Sequence, residues 1–161
     1  MHDIPMEPLG AAPLESIPGF RLELVYDRPL VYDSQAGQRG FFRIVEGVVS
    51  GARLNGRIVD DGGDWIVFRP DGLVETDSRM MIEAEDGTVI YLRSRGVLRA
   101  GAEKRAGYLA GRGLDAGGAY YRTAPYFDTP VGPHDWLTKT LFVGTGSFAG
   151  DRATLDIHEI L

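Results

Sequence analysis

The sequence predicts an all-β protein folded as an antiparallel up-and-down barrel, and three observations predict this class. Apolar and polar residues alternate in short runs along most of the chain, which is the pattern of strands with one buried face. Asp-Gly pairs separate successive runs at residues 71–72 and 86–87, and such a pair is a strong hairpin signal. Glycine supplies 22 of the 161 residues, about twice its ordinary share of roughly 7%. Sequential hairpins with tight turns favour a barrel that closes its own edges and can hold one small ligand.

The composition is that of one globular domain, and it excludes several classes of function. A balance of 43% hydrophobic and 25% charged residues is ordinary for a chain of this length. The net charge of −6, without a basic block, argues against a nucleic-acid partner. The absence of cysteine excludes disulfides and thiolate chemistry. No apolar run approaches the roughly 20 residues of a membrane span, and the N-terminus lacks a signal-peptide pattern. We therefore expect a cytoplasmic protein without a membrane partner.

The first half of the chain contains most of the predicted strands. Residues 1–18 carry four prolines and predict an extended arm, which leaves 19–161 as a single β-barrel domain. The predicted turn DDGGD, at 60–64, lies just before the strand WIVFR. The strands predicted in this half are FRLELVYD, FFRIVEGVVSG, ARLNGRIVD, WIVFR, LVETDSRMMIEAE and TVIYLRSRGVL.

The second half begins with a segment that breaks the alternation. Residues 99–118 hold six glycines and five alanines, and we predict a long flexible loop of the kind that covers a binding site. A short helical turn around 102–110 is the alternative. HDWLTKT is predicted to begin with one helical turn, with Asp135 near its N-cap. The remaining strands are predicted in AYYRTAPYFDT, KTLFVGTGSFAG and RATLDIHEIL.

Charged residues on one face of TDSRMMIEAE form the first candidate site. Asp77, Arg79 and Met81 share that face, and the opposite face is the more apolar one. Alternation alone favours the apolar face in the core and the charged face in solvent. In the alternative, Asp77 and Arg79 face the lumen with Met81 behind them. The guanidinium fork of Arg79 would then hold a substrate carboxylate.

The next strand offers a similar choice. Tyr91, Arg93 and Arg95 share one face of YLRSRG. This face is either solvated or a second cationic wall of the same pocket.

The segment YYRTAPYF is rich in aromatic residues. Tyr121 lies on one side of the predicted strand, and Tyr120 and Arg122 lie on the other. Aromatic core packing explains the composition, since Tyr and Phe favour strands. The functional alternative places one tyrosine hydroxyl in the pocket, where a nearby cation would lower its pKa and allow proton exchange with a phenol. Tyr126 and Phe127 would then stack against an aromatic ring.

Asp64 and Trp65 follow the predicted DDGGD turn. The structural interpretation is that Asp64 caps the turn and Trp65 fills the end of the barrel. The functional one makes Asp64 a general acid or base at the rim, with Trp65 against the ligand, because an apolar ring raises the pKa of a neighbouring carboxyl.

The three histidines, at positions 2, 134 and 158, have no metal-binding spacing, and we expect no metal. The segment GTGSFAG has no following helix, so it does not predict a phosphate-binding loop.

Several stretches in order resemble the domain-of-unknown-function 3237 family. They are residues 41–97, YYRTAPYFDT and DWLTKTLFVGTG, and the resemblance extends over about 20–161. The chain differs from the family pattern at Glu46-Gly47, Gly51-Ala52 and Thr138, positions that would retune a pocket. The resemblance implies a calycin-like barrel, often a homodimer. It matches Asp77 and Arg79 to an Asp-x-Arg motif, which favours the lumen-facing placement of both.

The resemblance also implies a function. Some members of the family are associated with cofactor-independent lyase or decarboxylase steps on lignin-derived aromatic compounds. We therefore expect a decarboxylase without cofactor, acting on a small phenolic acid through a quinone methide. Arg79 would hold the carboxylate or steady phenolate charge, and Tyr121 or Asp64 would move the proton. The substrate-binding residues would be Trp65, Asp77, Met81, Tyr91, Arg122 and Phe127. The alternatives are a lipocalin-like binding protein without catalysis, and an isomerase or hydratase using the same pocket.

Overall fold

The computed structural model describes residues 13–109 and 119–161. These parts of the chain form nine strands, one α-helix and one 3-10 helix. The elements are β1 (Ser16–Tyr26), β2 (Leu30–Ser34), β3 (Gly37–Gly51), β4 (Gly56–Phe68), β5 (Leu73–Ala84), β6 (Val89–Arg99), α1 (Ala102–Leu109), β7 (Tyr120–Asp128), the 3-10 helix η1 (Asp135–Thr138), β8 (Phe142–Ala149) and β9 (Arg152–Ile160).

The strands close into an antiparallel barrel of eight strands. From β3 to β9 each strand pairs with the next one in sequence. β1 then pairs with β9 on one side and with the second part of β3 on the other, which completes the ring. β2 pairs with the first part of β3, before the residues of β3 that pair with β1. The predicted all-β, up-and-down barrel is confirmed.

Alternation along each strand determines which side chains fill the barrel. In β5 the buried positions are Ser78, Met80, Ile82 and Ala84 together with Val74 and Thr76. The more apolar face of this strand therefore lies inside, as alternation alone favoured. Fully burying an aliphatic or aromatic side chain contributes about 1.5–3 kcal/mol, so this choice of face outweighs any pairing among the charged residues opposite.

The two predicted Asp-Gly turns are present. Gly72 and Gly87 have φ angles of 86° and 83°, which glycine adopts without a steric cost. They connect β4 to β5 and β5 to β6 in antiparallel register.

The predicted turn at DDGGD is wrong, because these residues form an irregular part of β4. Four steps along β4, from Val59 to Gly63, face only two steps along β5, from Met81 to Arg79. Two extra residues are therefore accommodated in a bulge, where Asp61 has a φ of 77°. Since the insertion is even, the residues on both sides of the bulge keep the same inward face.

The two ends of the barrel are covered differently. At one end, the loop predicted for residues 99–118 is wrong in its first part, because β6 continues to Arg99 and the helix α1 follows. Residues 110–118 lie outside the described residues. At the opposite end, η1 confirms the predicted helical turn, although His134 rather than Asp135 is its N-cap.

The predicted N-terminal arm ends earlier than expected, because β1 begins at Ser16. Residues 1–12 lie outside the described residues.

α1, the longest helix in the described part of the chain, is far shorter than the roughly 20 residues that a membrane-crossing helix needs.

Candidate functional site

A row of polar side chains crosses the interior of the otherwise apolar barrel. Asp64 of β4 pairs directly with Ser78 of β5, and Ser78 pairs with Ser94 of β6. All three point inward, and Asp64 is only 1% exposed. A second polar row lies nearer α1, where Thr76 and Thr123 are also buried. The inward faces of four neighbouring strands, β4 to β7, therefore bring a carboxyl and several hydroxyls together.

The Asp64 carboxyl is held by a side chain from β1, which lies on the other side of β3 from β4. The Tyr26 hydroxyl of β1 donates a hydrogen bond of 2.8 Å to Oδ2 of Asp64. The other carboxyl oxygen, Oδ1, has no hydrogen-bond partner within the described residues, and the same is true of Ser94 Oγ and Thr123 Oγ1. Buried polar atoms are rarely left without a partner. These oxygens therefore mark the point in the interior where a polar group of a ligand, or a water molecule, would form the missing hydrogen bonds.

The environment of Asp64 favours the protonated carboxyl. Burial is the largest cause that raises the pKa of Asp64 above its usual range. The hydroxyls of Ser78 and Tyr26 oppose that rise, and the charge of Asp77 adds to it. A carboxyl with a raised pKa is better matched to proton transfer near neutral pH than an ordinary aspartate.

Tyr121 joins this cluster from β7. Its side chain is 1% exposed, and its hydroxyl lies 3.5 Å from Thr76 Oγ1. Burial, and then the charge of Asp64, raise the pKa of Tyr121. The predicted lowering by a nearby cation is therefore wrong, because a carboxyl rather than an arginine lies nearby. Tyr121 is suited to donate a hydrogen bond as a neutral phenol.

A small, mostly apolar cavity opens at the α1 end of the barrel. The space enclosed within it is about 10 Å³, room for one water molecule, so a larger ligand enters only when the lining side chains move. Thr76 contributes a polar group to its wall and connects the cavity to the Tyr121 hydroxyl. Arg105 of α1 is the charged residue in the lining. The apolar lining consists of Ile66, Phe68, Val74, Leu98, Ala100 and Phe148.

The predicted lumen-facing placement of Asp77 and Arg79 is wrong. Both lie on the outer face of β5, where the Arg79 side chain is 49% exposed. Asp77 accepts hydrogen bonds from Arg93 on the neighbouring strand, at 3.0 and 2.8 Å, and lies 3.4 Å from Arg79. This cluster is an ion-pair network on the surface, and it lowers the pKa of Asp77. Arg79 is therefore not placed to hold a substrate inside the barrel.

Four further predicted binding residues also point outward. Trp65 is 49% exposed and packs on Phe41, with ring centroids 4.8 Å apart. It cannot share a site with Asp64, because neighbouring residues in a strand point to opposite faces. The other three are Met81, Tyr91 and Arg122.

Phe127 does point inward, but it lies at the η1 end of the barrel. There it packs edge-on against Phe20 and Phe142, at centroid distances of 5.7 and 5.1 Å. Of the predicted site residues, the polar cluster therefore contains Asp64 and Tyr121.

Sequence reasoning missed Tyr26, Thr76, Ser78, Ser94 and Thr123. A usable signal was present in each strand, because a hydroxyl residue stands in phase with the buried apolar residues. Ser78, for example, shares its face with Met80 and Ile82. What the sequence did not show was the register that places these hydroxyls side by side.

Within residues 13–109 and 119–161, no group of three histidine or acidic side chains is placed to hold a metal ion. The chemistry of the cluster is that of hydroxyls and one carboxyl.

The fold and the site define a small closed β-barrel with a buried acid–hydroxyl cluster in its lumen. The model of the "Protein of unknown function (DUF3237)" family matches residues 14–160. The chain belongs to this family. The homodimer implied by the resemblance stays a prediction.

Two comparisons support this assignment. A "UPF0311 protein" of Rhodopseudomonas palustris (strain TIE-1) is 30% identical over 125 residues, which cover 78% of this chain and 82% of that protein. The crystal structure of a conserved protein of unknown function from R. palustris has a TM-score of 0.86 and 28% identity, covering 94% of this chain and 100% of that one.

A more distant similarity concerns the fold alone. The crystal structure of an enzyme from Penicillium herquei has a TM-score of 0.70 at 17% identity and covers 94% of this chain and 97% of that one.

Proposed function

We propose that the protein is a cofactor-independent lyase that decarboxylates a small phenolic acid by proton transfer inside the barrel. The observation that carries the proposal is the buried Asp64 carboxyl. One of its oxygens accepts a hydrogen bond from Tyr26, and the other has no partner among the described residues. A carboxyl with a raised pKa in the interior of the barrel is suited to general acid–base catalysis.

The reaction needs a para-hydroxyphenyl group, a leaving group on the benzylic carbon and a carboxylate on the next carbon. Removal of the phenolic proton by Asp64 allows the phenolate to expel the leaving group with its electron pair, and this gives a quinone methide. Loss of CO2 then returns an electron pair to form the new C=C bond and restores the aromatic phenolate. Asp64 returns the proton to the phenolate. The protein needs only to bind, orient and move protons.

Tyr121 and Tyr26 have supporting roles in this proposal. The Tyr26 hydroxyl donates to Asp64 Oδ2 at 2.8 Å, and the Tyr121 hydroxyl is close enough for the charge of Asp64 to raise its pKa. A preorganised donor stabilises developing phenolate charge most effectively where water is excluded. We assign Tyr121 to this charge and Tyr26 to the orientation of the Asp64 carboxyl.

The experiment is an incubation of the protein with a panel of phenolic acids. We include β-hydroxy-β-(para-hydroxyphenyl)propanoate, which would give para-vinylphenol, CO2 and hydroxide, the last two combining as bicarbonate. Products are identified by mass spectrometry and proton NMR, with heat-denatured protein as the control. The proposal expects a decarboxylated product from at least one acid in the panel.

Two outcomes would count against the proposal. Saturable binding of an acid without any product would favour a lipocalin-like carrier. A product that retains its carboxylate would favour an isomerase or hydratase that uses the same cluster.

A further inference from the structure

Arg105 occupies an unusual position for a charged residue. It lies on α1 and lines the mouth of the apolar cavity, where its guanidinium carbon is 5.4 Å from the centre of the Phe68 ring. The rest of the lining is apolar apart from Thr76. A guanidinium at the rim of such a cavity is well placed to meet the charged end of a ligand whose apolar part lies below.

The existing partners of Arg105 orient its guanidinium without neutralising it. Nη1 donates to the backbone carbonyl of Arg69 at 3.2 Å, and Nη2 donates to the Gln38 side-chain oxygen at 3.5 Å. Both acceptors are neutral, and no carboxylate forms an ion pair with Arg105 in the described parts of the chain. Arg69 beside it differs, since it pairs with carboxylates of its own hairpin. Among the residues that the structure describes, the positive charge of Arg105 is therefore unpaired.

We propose that Arg105 is the residue that recognises the carboxylate of the ligand and selects acids over neutral analogues. This inference rests on the proposed function, and it gives Arg105 the role that Arg79 cannot have from the outer face. A guanidinium suits a planar carboxylate because its fork of N–H groups can donate two parallel hydrogen bonds.

The position of the cluster fixes the orientation of the ligand. The carboxylate stays at the mouth beside Arg105, and the ring enters the apolar cavity as the side chains that line it move aside. Its phenolic end then points toward Thr76 and the Tyr121 hydroxyl behind it. This orientation brings the phenol, rather than the carboxylate, toward Asp64. It agrees with a role of Asp64 in moving the phenolic proton.

The test compares one acid with its neutral ester. Isothermal titration calorimetry would measure the binding of para-hydroxycinnamate and of its methyl ester to the full chain. We expect the wild type to bind the acid at least tenfold more tightly than the ester. Arg105→Gln should lose this preference and leave the affinity for the ester unchanged. Arg43→Gln, which removes an exposed charge from the outer face of β3, is the matched control and should keep the preference.

Three results would overturn the inference: equal binding of acid and ester to the wild type, a preference that survives in Arg105→Gln, and no binding of either compound. A second measurement uses the wild type alone, in case the variant does not fold. The NMR signal of the Arg105 Nε–H group should shift on addition of the acid but not of the ester. An unchanged signal in saturating acid contradicts the inference.

The two proposals fail in different ways. If the acid binds through Arg105 but no compound is turned over, the proposed function fails and the recognition role stands. If product forms and Arg105→Gln leaves the KM for the acid unchanged, the recognition role fails and the proposed function stands.

Discussion

Asp64 is the residue on which the proposed chemistry depends, and its burial predicts a specific pH effect on stability. Its pKa is raised in the folded protein, so the folded state holds this proton more tightly than the unfolded chain does. Its contribution to the free energy of unfolding is complete below the unfolded pKa of about 3.9 and is lost as the pH rises through the folded pKa. Asparagine does not titrate, so Asp64→Asn does not lose this contribution to the free energy of unfolding.

We therefore expect Asp64→Asn to gain stability relative to the wild type as the pH rises. Urea unfolding at about pH 5, pH 7 and pH 9 would measure the difference in free energy. The matched control is Asp128→Asn, which removes an exposed carboxylate from the outer face of β7. A difference between Asp64→Asn and the wild type that stays constant with pH would show that the Asp64 pKa is not raised.

Gly146 predicts a packing effect at Tyr121. A Cβ atom on Gly146 would lie 2.1 Å from Cδ1 of the Tyr121 ring, so the ring must move. We expect Gly146→Ala to reduce the free energy of unfolding by about 1–3 kcal/mol, the usual cost of overpacking a core. Ser147→Ala, at the next and outward-facing position, should change it by less than about 0.5 kcal/mol. Equal effects in chemical denaturation would contradict the placement of Tyr121.

At the scale of the element, β4 shows where local signals mislead. DDGGD has the composition of a turn, yet the structure uses it as a bulge within one strand. Both interpretations require unusual backbone angles, and composition does not distinguish them. The distinction matters for the site, because a turn would have left Asp64 at the rim, whereas the bulge places it inside.

The bulge predicts how position 61 responds to substitution. Asp61 has a φ of 77°, which glycine and asparagine adopt readily and β-branched residues do not. We expect Asp61→Val to reduce the free energy of unfolding by about 1 kcal/mol or more. Asp61→Gly should be as stable as the wild type or more stable. Thermal and urea unfolding of both variants would measure this, and a stable Asp61→Val would contradict the bulge.

β5 shows a second limit of sequence reasoning. Alternation alone predicted the correct inward face. The match of Asp77 and Arg79 to a family motif predicted that their face points inward, which is wrong. The motif is compatible with an outer ion-pair network involving Arg93. Pairing of this kind depends on strand register, which a single strand sequence does not contain.

At the scale of the whole molecule, the barrel was the most predictable feature. Its class follows from alternation and turns, which are local properties that each strand carries by itself. The site was less predictable, since Asp64, Tyr26 and Tyr121 come from three different strands. Tyr26 and Asp64 lie on the two strands that flank β3 and are 38 residues apart in the chain. Only the closed ring brings them together.

Closure of the ring makes a prediction about hydrogen exchange. β1 is hydrogen-bonded to β9 on one side and to β3 on the other, so it has no free edge along the paired residues. Amides of Leu22 and Leu24 should therefore be protected as strongly as those of Ile82 and Leu92 in β5 and β6. Exchange measured by NMR would test this. Much faster exchange throughout β1 would indicate an open sheet.

The role proposed for Asp64 is to move the proton in the barrel interior, and the turnover of Asp64→Asn measures that role. With an acid that the wild type decarboxylates, we expect Asp64→Asn to lower kcat by about 10²- to 10⁴-fold, the usual contribution of a general acid–base group. KM should change little, and Asp128→Asn should retain the wild-type kcat. A kcat for Asp64→Asn equal to that of the wild type, or the absence of product from every acid in the panel, would contradict the proposed role.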